Sequence, residues 1–161
     1  MTTAANTTTA DAKKARVRPP QFNHVAMSVA PALLDDGPAR NDLIAFYTQV
    51  FGWTHLEVMD EAAKRLVFHT YSLEQFVYLH GDPNAMQCPR MDHYGFSVST
   101  EAELDTTLAA AKQYQAVDAR VDIIDKQRED HGPIKITSCY VGYLLPMMIE
   151  IQWWEKEWET Q

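Results

Sequence analysis

Residues 23–29 read NHVAMSV and residues 92–98 read DHYGFSV. The two stretches share a histidine, a serine and a closing valine at the same steps, with a small residue, Ala26 or Gly95, in the middle. Side chains alternate between the two faces of an extended strand. His24, Ala26 and Ser28 therefore share one face, and Val25, Met27 and Val29 share the other. The second copy repeats this, with His93, Gly95 and Ser97 set against Tyr94, Phe96 and Val98. A pattern that returns after about seventy residues predicts an internal repeat.

The segments downstream of the two copies match as well. Residues 41–53, NDLIAFYTQVFGW, place Leu43, Phe46, Tyr47 and Val50 at the spacing of an amphipathic helix. Asn41 or Asp42 can cap its start and Gly52 can end it. Strand-like pieces come next, at 53–59, 65–71 and 75–80. After a proline-containing linker, 82–90, the second copy leads into Thr100-Glu101-Ala102-Glu103, a capping box, and a stripe of Leu104, Thr107, Leu108 and Ala111. Strand-like pieces recur at 120–125, 134–141 and 147–153. Each unit reads βαβββ. The expected fold is α+β: two tandem modules, 21–81 and 91–155, forming a cupped mixed sheet with helices outside, after a flexible leader, 1–20.

Composition narrows the function classes. The 161 residues are 46% hydrophobic and 22% charged, the profile of a soluble domain. A net charge of −8 repels phosphate backbones and argues against nucleic-acid binding. The basic run Lys13 to Arg18 reads as part of a solvated leader. Two cysteines, Cys88 and Cys139, make no disulfide framework, which suggests a reducing, cytoplasmic setting. No apolar run is long enough to span a membrane.

The chemistry centres on MMIEIQWWE, 147–155, where a carboxylate interrupts an apolar run. The repeat offset pairs FVYLH, 76–80, with MIEIQ, 148–152, and so aligns Tyr78 with Glu150. Alternation puts Ile149 and Ile151 on the helix-covered face with Val25, Met27, Tyr94 and Phe96. Glu150 and Gln152 then face a cavity with His24, Ser28, His93, Ser97, Tyr78 and His80. A lone strand histidine is commonly structural, and a lone strand glutamate can simply discourage edge pairing. Two histidines at equivalent steps with a carboxylate on the closing strand instead suggest a divalent-cation site, suited to iron, manganese, cobalt, nickel or zinc. Met147, Met148, Trp153 and Trp154 read as core or interface.

These motifs, NHVAMSV, FYTQVFGW, DHYGFSV and MIEIQ, in this order across 22–154, resemble the vicinal oxygen chelate superfamily, which includes glyoxalases, bleomycin-resistance proteins and extradiol dioxygenases. The resemblance implies a metal held by His24, His93 and Glu150. The fourth family position, often Glu or Gln, falls at Tyr78, a poor ligand for such metals; His80 would fill it only if the strand register slipped. The family's usual Asp-Pro-Asp-Gly turn is replaced by YVGYLLPMMIE. What remains is a two-histidine, one-carboxylate triad, similar to the ferrous site of extradiol dioxygenases, so Fe2+ is favoured over Mn2+, Zn2+, Ni2+ or Co2+.

The expected activity is a metal-dependent enzyme acting on a small oxygenated metabolite such as a catechol. Tyr143 and Tyr140 would orient it, and His80 or His131 would exchange protons. Tyr78 completes the expected site list. An isomerase, epimerase or glyoxalase-type lyase is the alternative with the same metal, and a metal-free drug-binding resistance protein is the alternative without one. The exposed sheet edges of such a design lead to the expectation of a homodimer.

Overall fold

The computed structural model describes residues 19–159. The basic run and most of the expected leader lie outside them. Two four-stranded sheets are built to one recipe. The first contains β1 (His24–Val29), β2 (Thr54–His55), β3 (Arg65–His69) and β4 (Phe76–Gly81) in the order β1-β4-β3-β2. The second contains β5 (His93–Val98), β6 (Asp122–Asp130), β7 (Ile134–Gly142) and β8 (Met148–Lys156) in the order β5-β8-β7-β6. In each, the first strand pairs parallel with the last and the remaining pairs are antiparallel. A helix comes after each first strand: α2 (Pro38–Phe51), preceded by the short α1 (Pro31–Leu34), and α3 (Glu101–Gln115). The tandem βαβββ reading therefore holds, and the two sheets remain separate within one chain.

Local chemistry explains the helix ends. α2 starts earlier than Asn41, because Pro38 occupies its first turn and a proline ring presets the helical φ. It ends at Gly52, whose φ of 68° lies in the left-handed region. α3 carries the expected capping box: the Glu103 N–H donates to Thr100 Oγ1 at 3.2 Å and the Thr100 N–H to Glu103 Oε2 at 3.1 Å. The first strand-like piece after α2 breaks after two residues into a 3₁₀ turn, Glu57–Met59. That turn delivers the Asp60 carboxylate to Arg40 and to His55, whose Nε2 lies 2.5 Å away.

The modules share a core on their helical sides. Leu43, Phe46, Tyr47 and Val50 of α2 are buried, as are Leu104, Leu108 and Ala111 of α3. Phe46 stacks on Tyr143 with ring centroids 4.3 Å apart and meets Tyr114 edge-on at 5.0 Å. Tyr47 stacks on Trp53 at 4.9 Å and donates its hydroxyl to the Tyr143 carbonyl at 2.9 Å. Met27, Ile149 and Ile151 join this core from the sheets, with Val25, Tyr94 and Phe96 packed against it. The opposite face of each sheet is left for His24 and His93.

Candidate metal centre

The strand register decides which side chains meet. Gly95 lies opposite Glu150 and Ala26 opposite Tyr78. Tyr78 is therefore the counterpart of Glu150 with no slippage, and His80 lies one pleat further on, opposite Ser28.

In the second sheet, His93 and Glu150 come together, with Nε2 3.3 Å from Oε2. Glu150 is buried at 7% exposure, although a stranded carboxylate there would be costly. The His93 Nδ1 lies 2.7 Å from the Met91 carbonyl. A carbonyl can only accept, so Nδ1 carries the proton and a neutral ring offers a lone pair at Nε2. A protonated Nε2 would donate to Glu150 as an ion pair, whereas a deprotonated one presents its lone pair beside the carboxylate, an arrangement that suits a bound cation. A backbone carbonyl that fixes the tautomer is also how metal-binding histidines are commonly oriented. Tyr140, opposite Glu150 on β7, meets the His93 ring edge-on at 5.1 Å. Burial first, and hydrogen bonding to Glu150 second, raise its phenol above the ordinary value.

The first sheet presents His24 in a similar way. Its Nδ1 lies 2.7 Å from Asn23 Oδ1, and its ring stacks on Phe76 at 4.7 Å and 4°. Donation to Asn23 leaves Nε2 as the ring nitrogen that could offer a lone pair. His24 lines a cleft of about 530 Å³ with Gly95 and Ser97, whereas His93 and Glu150 lie outside its lining. Among the described residues, no group of three His, Cys, Asp or Glu side chains gathers within the chain to hold a metal ion. The donor types fit a divalent cation, and they are divided between two sheets.

Comparison with solved structures places this architecture. A lactoylglutathione lyase from Agrobacterium tumefaciens matches at a TM-score of 0.57 and 17% identity, covering 84% of this chain and 94% of that one. The fosfomycin resistance protein FosX from Listeria monocytogenes matches at 0.57 and 14%, covering 84% and 94%. A glyoxalase/bleomycin resistance protein from Albidiferax ferrireducens matches at 0.53 and 13%, covering 82% and 98%. The fold is shared with these lyase, glyoxalase and resistance proteins. No protein-family model and no curated protein matches the sequence.

Two expected residues stand away from the strand face that carries Glu150. Tyr143 is 1% exposed in the shared core, not beside Glu150. Its hydroxyl donates to Asp118 Oδ2 at 2.7 Å and accepts from Arg120 at 2.9 Å. Tyr143 continues the core-facing parity of Cys139 and Val141, which sets it on the helix-covered side. His131 sits exposed at the β6–β7 turn, paired with Glu129 at 3.0 Å. Of the two tyrosines expected to orient substrate, Tyr140 is the one at the carboxylate. Ser138, buried at 5% and opposite Gln152, also belongs to the cup face. The alternation of residues 134–142 carries the signal for both, since Ser138 and Tyr140 share a face.

Among the described residues, no helix is long and apolar enough to cross a membrane.

Proposed function

We propose that this chain is a divalent-metal-dependent enzyme acting on a small oxygenated metabolite, such as a catechol, that chelates the metal through adjacent oxygens. The observation that carries the reading is the 3.3 Å approach of His93 Nε2 to the buried Glu150 carboxylate, with Nδ1 committed to Met91. His93, Glu150 and His24 would hold the cation. A cation bound there supplies Lewis acidity and stabilises negative charge developing on a substrate oxygen.

The chain's own groups supply the rest. The Tyr140 phenol lies opposite Glu150 and can direct its one proton to that carboxylate or to a substrate oxygen beside it. Ser138 and Gln152 continue the same face with further polar groups. His80 lies on the corresponding face of the first sheet, and an imidazole is suited to moving protons near neutral pH. Tyr78 in the place of a fourth ligand favours an open triad, and with it dioxygenase-like chemistry, over the isomerase or lyase alternative. Fold alone does not choose between these chemistries.

The division of ligands between two sheets supports a homodimer in which His24 of one subunit meets His93 and Glu150 of the other. β1 and β5 each lie at the outer edge of their sheet, and such edges are natural pairing surfaces.

Metal analysis of oxygen-free preparations of the wild type and His93→Ala tests the reading. Stoichiometric iron that is lost on substitution supports the dioxygenase-like enzyme. Zinc, nickel or cobalt supports the lyase or isomerase, and no metal in either protein overturns both.

A further inference from the structure

The sheet that carries His93 and Glu150 continues well past them. β6, β7 and β8 are nine residues each, whereas β5 has six and stops opposite Trp153. Beyond that point β8 runs on through Trp154, Glu155 and Lys156, paired with β7 alone. Glu150, Gln152, Trp154 and Lys156 alternate onto one face. Gln152, Trp154 and Lys156 line an open groove of about 600 Å³ that begins at Gly95, the strand partner of Glu150, and passes Ser97.

Three features of this groove specify chemistry. Trp154 is 39% exposed, a large aromatic surface at the groove wall. Its indole Nε1 donates to Gln152 Oε1 at 2.9 Å. That bond occupies the amide oxygen and leaves the Gln152 NH2 as the group presented to a ligand. At the far end Lys156 is held by Glu159 at 2.8 Å, so its charge is matched within the protein. The groove thus offers a π-face and a neutral donor, not a cationic pocket for a phosphorylated tail. The four residue steps from Glu150 to Trp154 span about 13 Å.

We infer that Gln152 and Trp154 select an elongated substrate whose chelating oxygens lie at His93 and Glu150 and whose flat aromatic or conjugated tail stacks on Trp154. This inference rests on the proposed metal site and adds the substrate's shape: not a compact triose-like or simple carboxylate compound, but one with an uncharged planar arm.

Two hydroxamate probes test it on the zinc-loaded protein by titration calorimetry. Acetohydroxamate carries only the chelating oxygens, and 4-phenylbenzohydroxamate adds the planar arm. Expected are tighter binding of the arylated probe by wild type, a loss of about tenfold for that probe in Trp154→Ala, no change for acetohydroxamate, and substantial recovery in Trp154→Phe. Binding of both probes with no selective loss in Trp154→Ala would overturn this inference and leave the metal site standing. Equal losses for both probes, with an altered elution volume, would assign Trp154 to subunit contact and overturn it too. Failure of both probes to bind wild type would remove the metal site, and this inference with it; binding of acetohydroxamate alone would overturn this inference only.

Discussion

Gly95 faces Glu150 across the parallel pairing of β5 with β8, so closely that a β-carbon on Gly95 would lie 3.5 Å from the carboxylate Oε2. That separation is ordinary van der Waals contact. Gly95→Ala is therefore expected to keep both the fold and the metal affinity, whereas Gly95→Val places branched methyls against the carboxylate and lowers affinity. Zinc titration of the two variants, with circular dichroism as a folding control, checks this. Equal affinity in both would show that the carboxylate is not used as a ligand.

Tyr140 supports Glu150 from the neighbouring strand. Removing one hydroxyl in Tyr140→Phe is expected to cost about 10–100-fold in metal affinity, the usual effect of losing a partner of a metal ligand. Competition against a chromophoric chelator measures it, and an unchanged dissociation constant would count against the role.

Subunit mixing tests the shared site. His24→Ala and Glu150→Ala should each bind no metal alone. After mixing under conditions that exchange subunits, a heterodimer contains one intact set, His24 from one chain with His93 and Glu150 from the other. Recovery of up to about half the wild-type stoichiometry in the heterodimer is expected. No recovery, with exchange confirmed by mass spectrometry, would place the site within one chain.

The core makes a prediction independent of metal. Tyr47→Phe removes a buried hydrogen bond to the Tyr143 carbonyl, which keeps the Leu145 N–H at 2.7 Å, and should destabilise the fold by about 0.5–1.5 kcal/mol in urea titration. Next to it, hydrogen bonds from Arg120 and then from the Tyr143 hydroxyl hold the Asp118 carboxyl far below its usual range. A lowered carboxyl pKa adds stability that is fully present above the unfolded value, about pH 3.9, and is lost as pH falls below it. The gap between wild type and Asp118→Asn should be full at pH 7 and shrink below about pH 4. A gap independent of pH would mean that the carboxylate charge is not what matters.

Cysteine reactivity reports the packing of the second sheet. Cys139 is fully buried, and burial pushes its thiol up to about 11, so it remains protonated at pH 8. Cys88 is half-buried. Iodoacetamide at pH 8 should label Cys88 in the folded protein and both thiols in denaturant, as read by intact mass. Rapid labelling of Cys139 without denaturant would reveal an open β7.

Much of this was legible in the order of residues. The repeat of NHVAMSV and DHYGFSV, the stripe Leu43, Phe46, Tyr47 and Val50, and the Thr100–Glu103 capping box all reappear as structure, because each rests on local periodicity or local hydrogen bonding. The alignment of Tyr78 with Glu150 also holds, since strand alternation leaves no intermediate choice. The start of α2 was less legible: Pro38 and Asn41 both carry start signals, and the first turn formed at the proline.

Sequence by itself determined two βαβββ modules, the faces of their strands, and the presence of His24, His93 and Glu150 at matching steps. Only the tertiary structure decided how those faces are distributed. Alternation sets Tyr143 and Tyr140, three residues apart, on opposite faces, but only the packing of the Tyr143 ring against Phe46 and Tyr114 decided that it fills the shared core. The modules join through their helices, by Phe46, Tyr47 and Tyr143, and the histidine-bearing faces remain on separate sheets. The reason is physical. Alternation along a strand is set by neighbours in the chain, whereas the docking of two apolar faces depends on how well distant side chains pack.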